Sequence, residues 1–200
     1  MRRHNQIKNQ RNTNELTKAF VEEILKFNKA HNIVGHLTES EINLLDVIDC
    51  ESILPHTKSA TNLLDIGSGA GLPGIIIAIH QPQTEVTMSE KNKKKAYFIK
   101  KTIRTLQLAN AKILDEAITP KLITENKFDI VTARALASAS KIIKMSKHLL
   151  SKEGKFLLMK GALEKINVEV AQLENNTYSY TIHKTKNTET NRHILEITQK

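Results

Sequence analysis

Apolar positions recur with two different periods along this chain, and the change from one to the other marks its organisation. Leu16, Phe20, Ile24 and Phe27 fall at helical spacing and predict an amphipathic helix ending near Asn28. A second helix is expected from Ser40 through Ile42, Leu45 and Ile48, closed by Pro55. From Leu63 onward, short apolar runs alternate with longer amphipathic stretches. Leu63, Leu64 and Ile66 read as a strand buried on both faces. Pro73 stands where a first helical residue belongs, ahead of the apolar run 75–79. Further strands are expected at 85–89, 111–114, 128–133 and 154–159, and further helices at 92–108, 136–150 and 163–173. Two alternating stretches, 178–183 and 193–198, read as an antiparallel pair at one edge. The chain therefore reads as an α/β protein: a helical cap over residues 1–58 and a parallel α/β unit over residues 59–200.

The chemistry concentrates where the first strand meets its helix, in Asp65-Ile-Gly-Ser-Gly-Ala-Gly-Leu-Pro-Gly74. Gly67, Gly69 and Gly71 let the backbone turn tightly and let a ligand approach it without a Cβ in the way. The N–H groups at the helix start would suit a carboxylate or phosphate. Glu90 ends the second strand about 20 residues later, the place for a carboxylate that accepts hydrogen bonds from ribose hydroxyls. That spacing fits dinucleotides and S-adenosylmethionine alike. Asp65 favours the second, because a carboxylate there suits an amine or a sulfonium and repels a pyrophosphate. The competing reading of Asp65 is a helix-capping or turn-stabilising role.

Composition narrows the partners. The net charge of +9 favours a polyanion, since lysine and arginine release counterions from a phosphate backbone. No apolar run is long enough to cross a bilayer, and residues 1–12 are basic and polar without a leader's apolar core, so a cytoplasmic protein is expected. One cysteine and scattered histidines without CxxC spacing give neither a disulfide nor a metal-ligand pattern, and no metal is expected. Lys91, Lys93, Lys94, Lys95, Lys100, Lys101 and Arg104 crowd the helix over 92–108; most would form a solvated face, with Lys94 and Lys95 nearest the site. Tyr97 and Phe98 are expected on that helix's core side. Arg134 follows an apolar strand at the ligand-binding edge, where its planar fork can hold a carboxylate, a phosphate or a guanine edge, or can brace the sheet against Asp129 or Asp65. Lys160 ends the fifth strand at the same edge, and Arg192 and His193 precede the last strand; each is a candidate RNA contact.

Five segments read together: the glycine loop with Leu72-Pro73-Gly74, Lys94-Lys95 with Phe98, Ala133-Arg-Ala-Leu-Ala137, Leu158-Met-Lys-Gly161, and Arg192-His193. In this order the chain resembles the bacterial 16S ribosomal RNA guanine-N7 methyltransferase family, also called the glucose-inhibited division protein B family. The resemblance runs from about Phe27 to the C-terminus. It implies a class I S-adenosylmethionine-dependent, Rossmann-like methyltransferase fold, a seven-stranded, mostly parallel sheet with helices on both faces behind the N-terminal cap. It implies S-adenosylmethionine as cofactor and, as partner, 16S ribosomal RNA or the 30S particle. By the family's pattern Gly67 and Leu72 border the cofactor, Ala117 and Ile118 lie beside its adenine, and Arg134 faces the site. The cofactor set expected is Asp65, Gly67, Gly69, Gly71, Leu72, Glu90, Ala117, Ile118 and Arg134; the RNA set is Lys94, Lys95, Lys160, Arg192 and His193. Arg134 and Lys160 are the positioning residues, and a monomer is expected.

Guanine N7 carries its own lone pair, so in-line displacement needs no general base, and no catalytic dyad is expected. The chain departs from the family where Asn32-Ile-Val34 replaces Asn-Leu-Thr, where Leu45-Asp46 replaces a basic residue and histidine, and where Glu116-Ala117-Ile118 replaces an Arg-Ala/Val-Glu segment. Methyl transfer to another substrate, an NAD-dependent oxidoreductase and a non-catalytic RNA-binding module are the alternatives.

Overall fold

The computed structural model describes residues 12–174, 176–185 and 191–200. Seven strands make one sheet: β1 (Asn62–Ile66), β2 (Glu85–Ser89), β3 (Ala111–Leu114), β4 (Phe128–Arg134), β5 (Leu150–Lys160), β6 (Tyr178–Lys184) and β7 (His193–Gln199). Their order is β3-β2-β1-β4-β5-β7-β6. β1 runs parallel to β2 and β4, as do the pairs β2–β3 and β4–β5. β7 runs antiparallel between β5 and β6. The order reverses at β1, which opens a crevice beyond the C-terminal ends of β1 and β4.

Side-chain alternation along the strands divides the core in two. Leu63, Ile130, Leu157 and Ile194 face one layer; Leu64, Val131, Leu158 and Leu195 face the other. The first layer packs on α1 (Thr13–His31), α5 (Gly74–His80) and α6 (Lys93–Leu106); the second packs on α7 (Ala139–Ser146) and α8 (Leu163–Val170). Phe20 and Ile24 of α1 are fully buried, each worth about 1.5–3 kcal/mol of transfer free energy. Phe27 meets Phe98 of α6 with ring centroids 5.0 Å apart. The cap residues thus share one core with the sheet.

The second cap helix differs from its expectation. It is a helical run in three pieces: α2 (Glu39–Ile42), a single π turn (Asn43–Val47) and α3 (Ile48–Glu51). Thr38 starts it with a capping box to Glu41. Pro55 does not close this run; it sits in the first turn of a separate short helix, α4 (Leu54–Thr57), where its missing N–H costs nothing. Pro73 is the N-cap of α5, one position earlier than expected. α7 begins at Ala139, three residues late, because the chain after β4 first bends at Ala135 with φ +51°. Tyr97 is 62% exposed, so only Phe98 of that pair is core.

Candidate functional site

The glycine loop closes on itself before it offers anything to a ligand. The Gly67 and Ser68 N–H groups both donate to the Ser89 carbonyl, and Gly69 N–H donates to Glu90 Oε2 at 2.9 Å. Gly71 and Leu72 N–H donate to the Ser68 carbonyl, and Gly74 N–H to Asp65 Oδ2 at 3.1 Å. The donors expected to greet a phosphate are therefore already used, and Asp65 caps the start of α5. Gly67 has φ +67°, and a Cβ there would stand 2.7 Å from Leu136 Cδ1. At Gly74 a Cβ would stand 2.5 Å from Met88 Cγ, so glycine lets the helix lie on β2.

Above this loop lies a cavity of about 570 Å³, within the range usual for small-ligand sites. Glu90, at the end of β2, lines it while its Oε1 accepts from Asn92 N–H at 2.7 Å. Ile66, Leu72 and Ile118 give it apolar walls, and Lys95 and Arg192 are its cations alongside Lys91 and Arg134. The cap contributes Ile33, Val34, Gly35, His36 and Asp46.

Arg134 reaches across this floor into the cap. Its Nη2 lies 2.8 Å from Asp46 Oδ1 and its Nη1 3.8 Å from Asp49 Oδ2. Asp46 Oδ2 also meets His36 Nδ1 at 2.7 Å. Asp49 is buried with Oδ1 unpaired; burial pushes its carboxyl up, and Arg134 partly offsets that. The π turn spans Asp46 and shifts the ladder by one residue at this point, placing Asp46 over the sheet edge. Neither brace weighed from sequence forms: Asp129 instead accepts from Thr61 and Asn62, and Asp65 from Gly74. Asp46, one of the two residues that depart from the family's basic residue and histidine, is the partner of Arg134.

Of the expected cofactor residues, Gly67, Gly69, Leu72, Glu90, Ala117, Ile118 and Arg134 line the cavity. Asp65 and Gly71 do not. Asp65 is fully buried beneath the loop, and Gly71 turns at φ +85° against Ile75. Among the expected RNA residues, Lys95 and Arg192 line the cavity, whereas Lys94 is exposed outside it. Lys160 is committed elsewhere: its Nζ donates to the Ala137 carbonyl at 2.7 Å and to Glu169 Oε2 at 2.8 Å. His193 is 8% exposed, with Nδ1 3.0 Å from the Gly161 carbonyl. Buried Cys50, whose thiol is pushed far up by burial, is no nucleophile.

The model of the family described as rRNA small subunit methyltransferase G (GidB) matches residues 13–195. The chain belongs to that family. Ribosomal RNA small subunit methyltransferase G of Nitrosomonas eutropha is 37% identical over 157 residues, covering 77% of this chain and 72% of the relative. That of Chromobacterium violaceum is 33% identical over 150 residues, covering 74% and 70%. Among solved structures, precorrin-6y C5,15-methyltransferase from Geobacter metallireducens superposes with TM-score 0.58 at 22% identity, covering 77% of this chain and 87% of that one. MtNAS in complex with S-adenosylmethionine gives TM-score 0.59 at 15% identity, covering 94% and 77%. The fold is that of the class I S-adenosylmethionine-dependent methyltransferases.

Within this methyltransferase G fold, several cavity residues escaped the sequence reading. Ser68, Ala70 and Ser89 flank motif positions and were within reach of it. Met145 and the cap residues Ile33 to Gly35 come from elements whose approach depends on packing, which local periodicity does not encode. Ala135 gave no signal, since alanine rarely takes the left-handed conformation it has here.

Proposed function

We propose that this chain transfers a methyl group from S-adenosylmethionine to N7 of a guanine in 16S ribosomal RNA, acting in the cytoplasm as a monomer on the RNA or the 30S particle. Membership of the methyltransferase G family supports the reaction and the substrate class. The observation that carries the cofactor reading is the state of the loop. With the Gly67, Ser68 and Gly69 N–H groups all engaged, the loop offers no N–H nest for a pyrophosphate, and Asp65 and Glu90 make its surroundings acidic. A dinucleotide fits poorly there; a ligand bearing an amine and a sulfonium fits well.

S-adenosylmethionine, when bound, supplies an activated methyl group. The chain's own part is to hold and align. Glu90 would accept from ribose hydroxyls, Ala117 and Ile118 would lie beside the adenine, Gly67 and Leu72 would border the cofactor, and the cap from Ile33 to His36 would exclude water from above. Lys95 and Arg192 would grip phosphates and set the register of the RNA. No side chain is needed to remove a proton, because N7 is already unprotonated. In this reading residues 1–58 are the cap and 59–200 the methyltransferase domain.

Incubating the protein with methyl-labelled donor and 30S particles or 16S RNA from cells lacking the enzyme tests the proposal. Label is expected at N7 of one guanine. Label on another atom or on ribosomal protein would refute it, and RNA binding without label would favour a non-catalytic module.

A further inference from the structure

Far apart in sequence, His56 of α4, His183 of β6 and Glu196 of β7 converge on the cap-side face of the sheet. Their candidate ligand atoms all lie within 4.8 Å of one another, and each residue is half-buried. The His56 and His183 rings stand 4.3 Å apart between centroids. His183 Nε2 lies 3.1 Å from Glu196 Oε2. None of the three lines the methyl-transfer cavity. No metal-ligand spacing marks these residues along the chain, because the fold alone brings them together.

The register explains the convergence. His183 is paired with Ile194, so Glu196 lies two residues along on the same face of the neighbouring strand. Ile194 points to the cap-side core, which puts both polar residues on the side that α4 covers. The His56 ring makes no hydrogen bond among the described residues. Two imidazoles and a carboxylate clustered away from the reaction site are an unusual group to pack for stability alone.

We propose that His56, His183 and Glu196 form a zinc(II) site that ties α4 to the β6–β7 hairpin. Two nitrogens and one oxygen, with a fourth position for water, are a ligand set zinc accepts. Zinc–ligand bonds near 2.1 Å place tetrahedral ligand atoms about 3.4 Å apart, so the His183–Glu196 pair already has suitable spacing and His56 closes the remainder by a rotamer change. Among the described residues, Lys155 is the cation paired with the group, with Nζ 3.3 Å from Glu196 Oε1. It holds the oxygen away from His183 and leaves Oε2 for the metal, the outer partner that fixes a ligating carboxylate.

Isothermal titration of ZnCl2 into tag-free, chelator-treated full-length protein tests this. One zinc per chain is expected, weakened at least about tenfold in His56→Ala and in Glu196→Gln and unchanged in His31→Ala. The melting temperature of the wild type should rise with zinc and that of Glu196→Gln should not. Cobalt(II) in place of zinc should give the visible bands of a tetrahedral nitrogen–oxygen site. Absence of zinc binding at micromolar concentration overturns the proposal, as does binding undiminished in Glu196→Gln, a variant that keeps the side-chain volume if His56→Ala fails to fold.

Discussion

Asp65 and Arg134 show how a single charged side chain is read one way from its position and another from its surroundings. Burial raises the Asp65 carboxyl from 3.8 to about 6, against the pull of the Gly74 hydrogen bond and of Arg134. In the unfolded chain it ionises near pH ~4. Between these values the folded protein keeps a proton that the unfolded chain releases. This group's contribution to stability is therefore full at the acid end, falls as pH rises through the window, and is gone above about pH 6, a change on the order of 2–3 kcal/mol. Asp65→Asn keeps an acceptor for Gly74 N–H and removes the titration. The urea-unfolding free energy of that variant should fall less steeply across pH 4–6 than the wild type's, and an unaltered slope would contradict the account. Arg134 has the opposite character. Its removal leaves Asp46 with the His36 imidazole alone and Asp49 without its ion-pair partner, one of the Asp49 oxygens being already unpaired. Arg134→Ala should cost about 3–5 kcal/mol in urea unfolding, and Arg134→Lys should recover little, since an ammonium cannot offer two nitrogens to two carboxylates. If activity were lost with stability intact, the arginine would be a substrate ligand and not a clamp.

The glycine loop and the end of β2 work as one unit, because Glu90 holds the loop with one oxygen and the start of α6 with the other. Replacing it with alanine removes both anchors as well as the carboxylate in the cavity. S-adenosylhomocysteine affinity, measured by titration calorimetry, should weaken by about 1–3 kcal/mol; unchanged affinity would deprive Glu90 of its assigned part. This unit was legible beforehand because strand, glycine turn and helix follow one another in the chain, and their contacts are local. Every sheet strand was anticipated to within a few residues for the same reason, apart from β5, which starts at Leu150 rather than 154. What stayed hidden depends on distant partners. Lys160 reads as a candidate RNA contact at a strand end, but Glu169, in the last turn of α8, holds it. The spacing of Ile42, Leu45 and Ile48 suggests an unbroken α-helix, but the π turn moves the buried face to Val47 and Cys50, leaves Ile48 exposed, and sets where Asp46 meets Arg134. The site's floor was therefore readable from sequence and its roof was not.

Charge distribution over the whole molecule divides the lysines and arginines into those at the cavity, proposed above to meet RNA, and those paired within the fold, which the total of +9 cannot do. Lys101 is paired with Glu23 of α1 at 2.7 Å, Lys93 with Asp115 at 3.1 Å, and Lys160 with Glu169 at 2.8 Å. Lys95 and Arg192 reach the cavity from distant parts of the chain, one on α6 and one before β7. In the proposed function, an RNA that presents a guanine to the cavity meets Lys95 and Arg192 with its phosphates. Each such contact releases condensed counterions, so log affinity falls with log salt by about 0.7 per phosphate neutralised on a single strand and about 0.9 on a duplex. Lys95→Ala and Arg192→Ala should each weaken 16S RNA binding and make that slope shallower by about one contact. Lys160→Ala should leave the slope unchanged and instead lower the unfolding free energy by about 1–3 kcal/mol, because Glu169 and the Ala137 carbonyl lose their charged donor. Filter binding at several salt concentrations, paired with urea unfolding, separates the two classes. A slope that changes with Lys160 but not with Lys95 or Arg192 would place the RNA on the α8 side of β5 and away from the cavity, and the proposed path of the substrate would fail with it.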